Sequence, residues 1–154
     1  MICLLIIIGI FLTDYIIKNN AEAGLKEKRE ILQGKIILNK CHNTGAAFSL
    51  GEKNPSLVLV SSLLCVIVVT IYLIRRYIVK GMGPLDIGIY EVGVSMFLGG
   101  ALSNLYDRIS KRYVVDYFSF NVRWPKLRNI VFNISDMFIF LGVLVGLVDD
   151  ILKG

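Results

Sequence analysis

Cysteine is scarce and falls in no pairing pattern. Cys3, Cys41 and Cys65 form no even framework and no Cys-x-x-Cys motif, and Cys3 and Cys65 lie in apolar runs where a thiol behaves as a small hydrophobe. Disulfides and thiolate metal sites are therefore not expected. Histidine is scarcer still, with His42 standing alone. Its neighbour Cys41 suggests a thiol protease only until side-chain direction is considered, because adjacent residues of an extended segment point to opposite faces. Charge is low: 19% of residues are charged against 55% hydrophobic, and a mean hydropathy of +0.67 is far too apolar for an ordinary soluble domain. The net charge of +5 comes from connecting segments, which suits contact with anionic headgroups and gives no reason to expect a nucleic-acid partner.

What the chain has instead is long apolar runs. Four candidate spans stand out, Ile2 to Ile17, Ser56 to Ile74, Leu85 to Leu105 and Ile134 to Val148, each near the ~20 residues a helix needs to cross hydrocarbon. The expected fold is all-α and membrane-embedded, a single domain over residues 1–154 with four transmembrane helices. The first run is read as a retained span rather than a signal peptide, since no basic region precedes it and Asp14 and Lys18 stand where a cleavage site would be. The loop from Gly34 to Leu50 alternates short apolar runs with Gly and Asn, as expected of small strands on the membrane surface, so a β-rich loop is expected between helices 1 and 2. Trp124 and Pro125 in the second long loop suit headgroup depth and a flap role.

With four spans, parity gathers the unexplained polar residues at one end: Asp14, Asn43, Asn104, Asp107, Arg108, Asp116, Asn133 and Asp136. The basic residues do not orient the chain, because Arg75, Arg76 and Lys80 crowd the short loop while a larger number spread through the two longer loops. Gly100, Asn104 and Arg108 recur every fourth residue and share a helix face, and Asn133 and Asp136 are likewise cofacial. Each has a bland reading. Asp14 and Lys18 make a simple i,i+4 ion pair at a helix end; Asn104 and Arg108 cap and anchor a span; Glu91 is a buried or snorkelling acid near the opposite surface. Gly142 and Gly146 read as internal helix packing rather than a dimer face, and the Asn133-Ile134-Ser135 sequon abuts a span and is coincidental.

Asp116 and Asp136 are the residues the bland readings do not absorb. Two carboxyls brought within a few Å cannot both ionise, so one keeps a proton while the other can take one from water, which is the chemistry of metal-free amide hydrolysis. The reading from another class is a small proton-coupled transporter or channel, with intramembrane carboxylates as a relay. That requires acids spread through the depth of the bilayer, whereas these gather at one end and Glu91 is the lone candidate for the other.

Five stretches carry a resemblance: DYIIK from Asp14, NTGAAFS from Asn43, GGALSNLYDR from Gly99, VVDYF from Val114 and FNISD from Phe132. In order and spacing they resemble the lipoprotein signal peptidases, signal peptidase II, over nearly the whole chain. The resemblance implies a four-helix bacterial membrane aspartic peptidase, without cofactor, whose site opens at the outer face of the cytoplasmic membrane and whose termini are both cytoplasmic. Its implied substrates are prolipoproteins cut just before a diacylglyceryl-modified cysteine, with lipid as the surrounding partner and a single chain as the expected working unit. Asp116 and Asp136 match the family's catalytic dyad, and Asn43, Gly100, Asn104, Arg108 and Asn133 match positions that hold substrate or the inhibitor globomycin. Asp14 matches an acid whose role is structural, and Lys18 goes with it. Family members usually carry Gly at the positions of Ser103 and Tyr113, Ala at Ser135, and Ser or Thr at Ile17. If Asn133 caps the last helix, Asp136 sits where backbone N–H groups favour a carboxylate, making it the base and Asp116 the acid.

Overall fold

The computed structural model describes residues 1–46, 51–81, 83 and 85–153; Ala47, Phe48 and Ser49 of the NTGAAFS stretch, and Leu50, lie outside the described residues. The elements run α1 (Ile2–Gly24), β1 (Arg29–Ile31), β2 (Ile36–Asn43), α2 (Pro55–Lys80), α3 (Ile89–Ser110), β3 (Val114–Phe120), α4 (Pro125–Arg128) and α5 (Ile134–Lys153). Four long helices correspond to the four expected spans. Their ends differ: α1 continues past Ile17 to Gly24, α2 to Lys80 and α5 to Lys153, because a helix that leaves an apolar layer keeps its hydrogen bonds.

Local chemistry sets the helix boundaries. Pro55 opens α2 at the first helical position, where its missing N–H is no loss, and Gly81 ends it with a left-handed φ of 58°. Glu91 at the third position of α3 accepts the Gly88 N–H at 3.1 Å. Arg112, with φ 72°, makes the tight turn that swings the chain from α3 into β3.

Among the described residues, α1 and α2 are by themselves long and apolar enough to cross a membrane. They leave Leu4, Leu5, Ile8, Leu12 and much of α2 exposed, an outer surface fit for lipid rather than water. Polar residues dilute α3 and α5, and most of these face inward: Glu91, Ser95, Ser103, Asn104, Asp107, Ser135 and Asp149 are all buried. α3 is central. A Cβ at Gly93 would meet the Gly142 carbonyl at 2.8 Å, one at Gly100 the Ser135 carbonyl at 2.5 Å, and one at Gly99 the Ile7 carbonyl at 3.1 Å, so α5 and α1 both approach α3 at backbone distance. On its remaining side, Leu98 and Leu105 pack with Val66 and Leu73 of α2.

The sheet differs from the expected loop between the first two helices. It is a three-stranded antiparallel sheet, β1-β2-β3, whose third strand comes from the second long loop. A two-stranded hairpin is marginal alone, and the apolar β3 completes it. The register sets Cys41 opposite Asp116 and Asn43 opposite Val114, with an irregularity between Leu38 and Cys41. Both long loops thereby meet at one end of the bundle.

Candidate active site

β3 delivers Asp116 and the first turn of α5 delivers Asp136, and Asn133 touches both. Its Nδ2 donates to Asp116 Oδ1 at 2.6 Å, its Oδ1 accepts the Asp136 N–H at 2.9 Å, and its own N–H is accepted by Asp136 Oδ2 at 3.2 Å. The last two bonds form a reciprocal cap of α5. Asn104 Nδ2 donates to Asp136 Oδ1 at 2.9 Å, and Asn133 Nδ2 reaches Asn104 Oδ1 at 3.2 Å. Asn43 Nδ2 donates to the other Asp116 oxygen at 3.1 Å, while Asn43 Oδ1 accepts the Gly45 N–H in an Asx turn. Arg108 Nη2 donates to the Gly45 carbonyl at 2.9 Å, fastening that turn to α3, while its buried Nε has no hydrogen-bond partner among the described residues.

Asp116 is almost fully buried. Desolvation first, then the charge of Asp136, push its carboxyl up to about 7, with the amides of Asn43 and Asn133 pulling the other way. A cavity of about 30 Å³ lies against Asn43, Asn104, Arg108, Asp116 and Asp136, space for a water molecule.

Beneath this layer lies a second one. Asp14 and Lys18 pair at 2.7 Å with exposures of 0% and 1%, so the pair is an i,i+4 bridge, yet it is sealed inside the bundle rather than placed at a helix end. Asp14 Oδ2 also accepts the hydroxyls of Ser103 and Ser135, each at 2.6 Å, and Asp14 Oδ1 the Tyr117 hydroxyl at 3.3 Å. Lys18 Nζ contacts Asp107 at 3.3 Å and donates to Asn104 Oδ1 at 2.8 Å. The buried charges are thus paired and hydrogen-bonded, the condition under which they are tolerated.

The structure brings together Asp116, Asp136, Asn43, Asn104, Arg108 and Asn133; Gly100 lies one turn below, where it lets α5 reach α3. Sequence reasoning left Ser103, Ser135, Asp107 and Tyr117 without a role here. Ser103 and Ser135 stood out as departures from the family pattern, and that they share one partner, Asp14, is the signal that links them. Tyr113, another departure, stacks on His42 at 4.0 Å, and His42 bonds Glu22 at 3.0 Å, away from Cys41. Partial desolvation and the Asp116 charge raise the pKa of the Cys41 thiol, against a thiolate nucleophile. Nothing in the structure explains Ile17. Trp124 is 68% exposed just before α4. At the far end of the bundle Glu91 is held by Arg76 at 2.8 Å and Lys80 at 3.3 Å, an ion cluster rather than a relay partner for the distant acids.

An apolar helical bundle with two carboxyls joined through asparagine amides under a small surface sheet has the build of a membrane hydrolase of the aspartic type. The family model described as Signal peptidase (SPase) II matches residues 6–152, and the chain belongs to that family of aspartic peptidases. The lipoprotein signal peptidase of Moorella thermoacetica is 34% identical over 135 residues, covering 87% of this chain and 79% of that one. The lipoprotein signal peptidase of Lactiplantibacillus plantarum is 30% identical over 155 residues, covering 97% and 95%. A solved bacterial membrane enzyme shares the fold with a TM-score of 0.77 at 23% identity, over 98% of this chain and 87% of its own.

Proposed function

We propose that this chain removes the signal peptide from diacylglyceryl-modified prolipoproteins, cleaving before the lipid-bearing cysteine with Asp116 and Asp136 as the catalytic pair. The observation that carries the reading is the small cavity both carboxyls line, with room for one water within reach of each. Asp136, joined to Asn133 by reciprocal bonds at the start of α5, takes the role of base in this reading. Asp116, raised to about 7, is placed to carry the proton.

In the scheme, water attacks the scissile carbonyl as its proton passes to Asp136, and the Asp116 proton passes to the carbonyl oxygen. The resulting gem-diol collapses: the C–N bond breaks, the Asp136 proton goes to the departing amine of the lipid-bearing cysteine, and Asp116 recovers its proton from a diol hydroxyl. Asn43 and the turn held by Arg108 flank the position of an extended substrate backbone.

On this reading α1, α2, α3 and α5 all cross the bacterial cytoplasmic membrane, the sheet lies on its outer face, both termini are cytoplasmic, and a monomer suffices. Its support is the meeting of both long loops in one sheet and the apolar exposure of the helices. Purified chain is to be given a diacylglyceryl-modified precursor and the same precursor without lipid, in detergent. Release of the signal peptide from the first and not the second is expected; no release from either would sink the proposal.

A further inference from the structure

Below the carboxyl pair, an apolar groove of about 400 Å³ runs between α2, α3 and α5, floored by Gly93 and Gly142 and ending at Tyr72, Tyr90 and Asp150. It neighbours the site, because Phe97 lines both the groove and a space of about 280 Å³ that opens on Asn104, Arg108 and Asp136. The far end has the chemistry of a cation site. Tyr72 and Tyr90 lie 6.1 Å apart, and Tyr72 is 41% exposed. One face of Tyr90 is already covered by the Arg76 guanidinium at 4.3 Å, whose charge Glu91 matches at 2.8 Å. Asp149 is engaged by Lys153, whereas no ion pair among the described residues includes the exposed Asp150. An acid in the last turns of a helix sits at the negative end of the helix dipole, an unfavourable place that a bound cation relieves. A carboxylate beside aromatic rings attracts an ammonium or guanidinium group.

Length identifies the occupant. Asp136 and Asp150 are separated along α5 by fourteen residues, about 21 Å of helical rise. A signal peptide has an apolar core of roughly 7–15 residues preceded by a basic segment, and as a helix such a core spans roughly 10–22 Å. With its cleavage point at Asp136, a substrate lying antiparallel to α5 with an apolar core of about fourteen residues brings its basic segment to Asp150.

We propose that Tyr72, Tyr90 and Asp150 form a recognition site for the basic N-terminal segment of the substrate's signal peptide, with the groove holding its apolar core. This rests on the function proposed above and adds a determinant remote from the chemistry.

Full-length wild type, Asp150→Asn, Asp150→Lys and Asp149→Asn, reconstituted in bilayer discs, are to be titrated with three synthetic signal peptides whose N-terminal pair is Lys-Lys, Gln-Gln or Glu-Glu. Wild type and Asp149→Asn should bind the Lys-Lys peptide about tenfold more tightly than the Gln-Gln peptide. Asp150→Asn should lose most of that preference, the ring contacts remaining, and Asp150→Lys should prefer Glu-Glu. Retention of the Lys-Lys preference by Asp150→Asn, or equal binding of all three peptides by wild type, overturns the inference. Turnover of matching lipidated precursors by wild type tests the proposed function separately, so a charge preference without cleavage removes that function and leaves the site. Where cleavage occurs, Asp150→Asn should raise KM for the Lys-Lys precursor with kcat unchanged.

Discussion

Lys18 Nζ donates to Asn104 Oδ1 at 2.8 Å and thereby decides which end of that amide faces Asp136. An ammonium offers donors only, so the carbonyl oxygen of Asn104 must turn toward it and the amide Nδ2 toward the carboxylate at 2.9 Å. A buried ion pair thus sets the orientation of a group in the candidate active site.

Removing that cation should be costly. Lys18→Met leaves Asp14 and Asp107 buried without it, and a loss of about 3–5 kcal/mol is expected in detergent unfolding. Adding Asp14→Asn to Lys18→Met should recover part of the loss, since Asp14 is then neutral, while Asp107 keeps Lys111 at 3.0 Å. A double variant less stable than Lys18→Met would contradict this account.

Ser103→Ala and Ser135→Ala each delete a hydroxyl that donates to Asp14 at 2.6 Å. Hydrogen bonds to charged groups contribute about 1.5–3 kcal/mol, so each variant should lose stability in that range and melt at a lower temperature. Turnover should change little, because neither hydroxyl is bonded to Asp116 or Asp136. A hundredfold fall in kcat with unchanged stability would assign the serines another role.

Asp116→Asn and Asp136→Asn should each cut turnover by ~10²-fold or more while the protein stays folded, as each removes a group that must hold or accept a proton. Rates above about a hundredth of wild type in either variant would dismiss the pair.

The raised Asp116 carboxyl has a sign that can be tested. In the folded state it holds its proton up to about 7, against an ordinary value of 3.8. Between those two values the folded chain binds more protons than the unfolded one, so stability falls as pH rises across the window and levels off above it. Relative to Asp116→Asn, wild type should lose on the order of 4 kcal/mol between about pH 4 and pH 7. Activity should fall as pH rises through about 7, when the acid loses its proton. A pH-independent stability difference between the two proteins would argue against a protonated Asp116.

Gly100→Ala tests the close approach of α3 and α5. Its Cβ would lie 2.5 Å from the Ser135 carbonyl and 2.9 Å from Ile139 Cγ1, so the helices must part. Both stability and turnover should drop, since Asn104 on α3 and Asp136 on α5 depend on that spacing. A variant with wild-type melting and kinetics would show that the bundle absorbs the extra carbon.

Helix positions were readable because apolar runs mark them, and Asn133 could be placed as a cap from its three-residue offset to Asp136. The far ends of α1 and α5 were not, since hydropathy marks where lipid stops rather than where hydrogen bonding does. The third strand was missed because its pairing with β2 is non-local: nothing near Asp116 in sequence announces that Cys41 will lie opposite. The asparagines could be gathered at one end by parity and helical spacing, yet the order of their bonds depends on side-chain directions that only the packed bundle fixes. Ser103 and Ser135 each look like isolated departures. Only the approach of α3 and α5 to α1 shows that they serve the same carboxylate.

The buried pair in α1 also bears on how the chain is made. When α1 emerges from synthesis its Asp14 and Lys18 have only each other, and their remaining partners, Ser103, Asn104, Asp107, Tyr117 and Ser135, belong to segments made much later. A charged side chain at the centre of a lone helix in lipid costs roughly 2.5–3.5 kcal/mol, so on the proposed four-span reading α1 is held only loosely until α3 arrives. The locking of α1 therefore waits on segments made after it: in a chain interrupted before α3, Asp14 and Lys18 keep only each other.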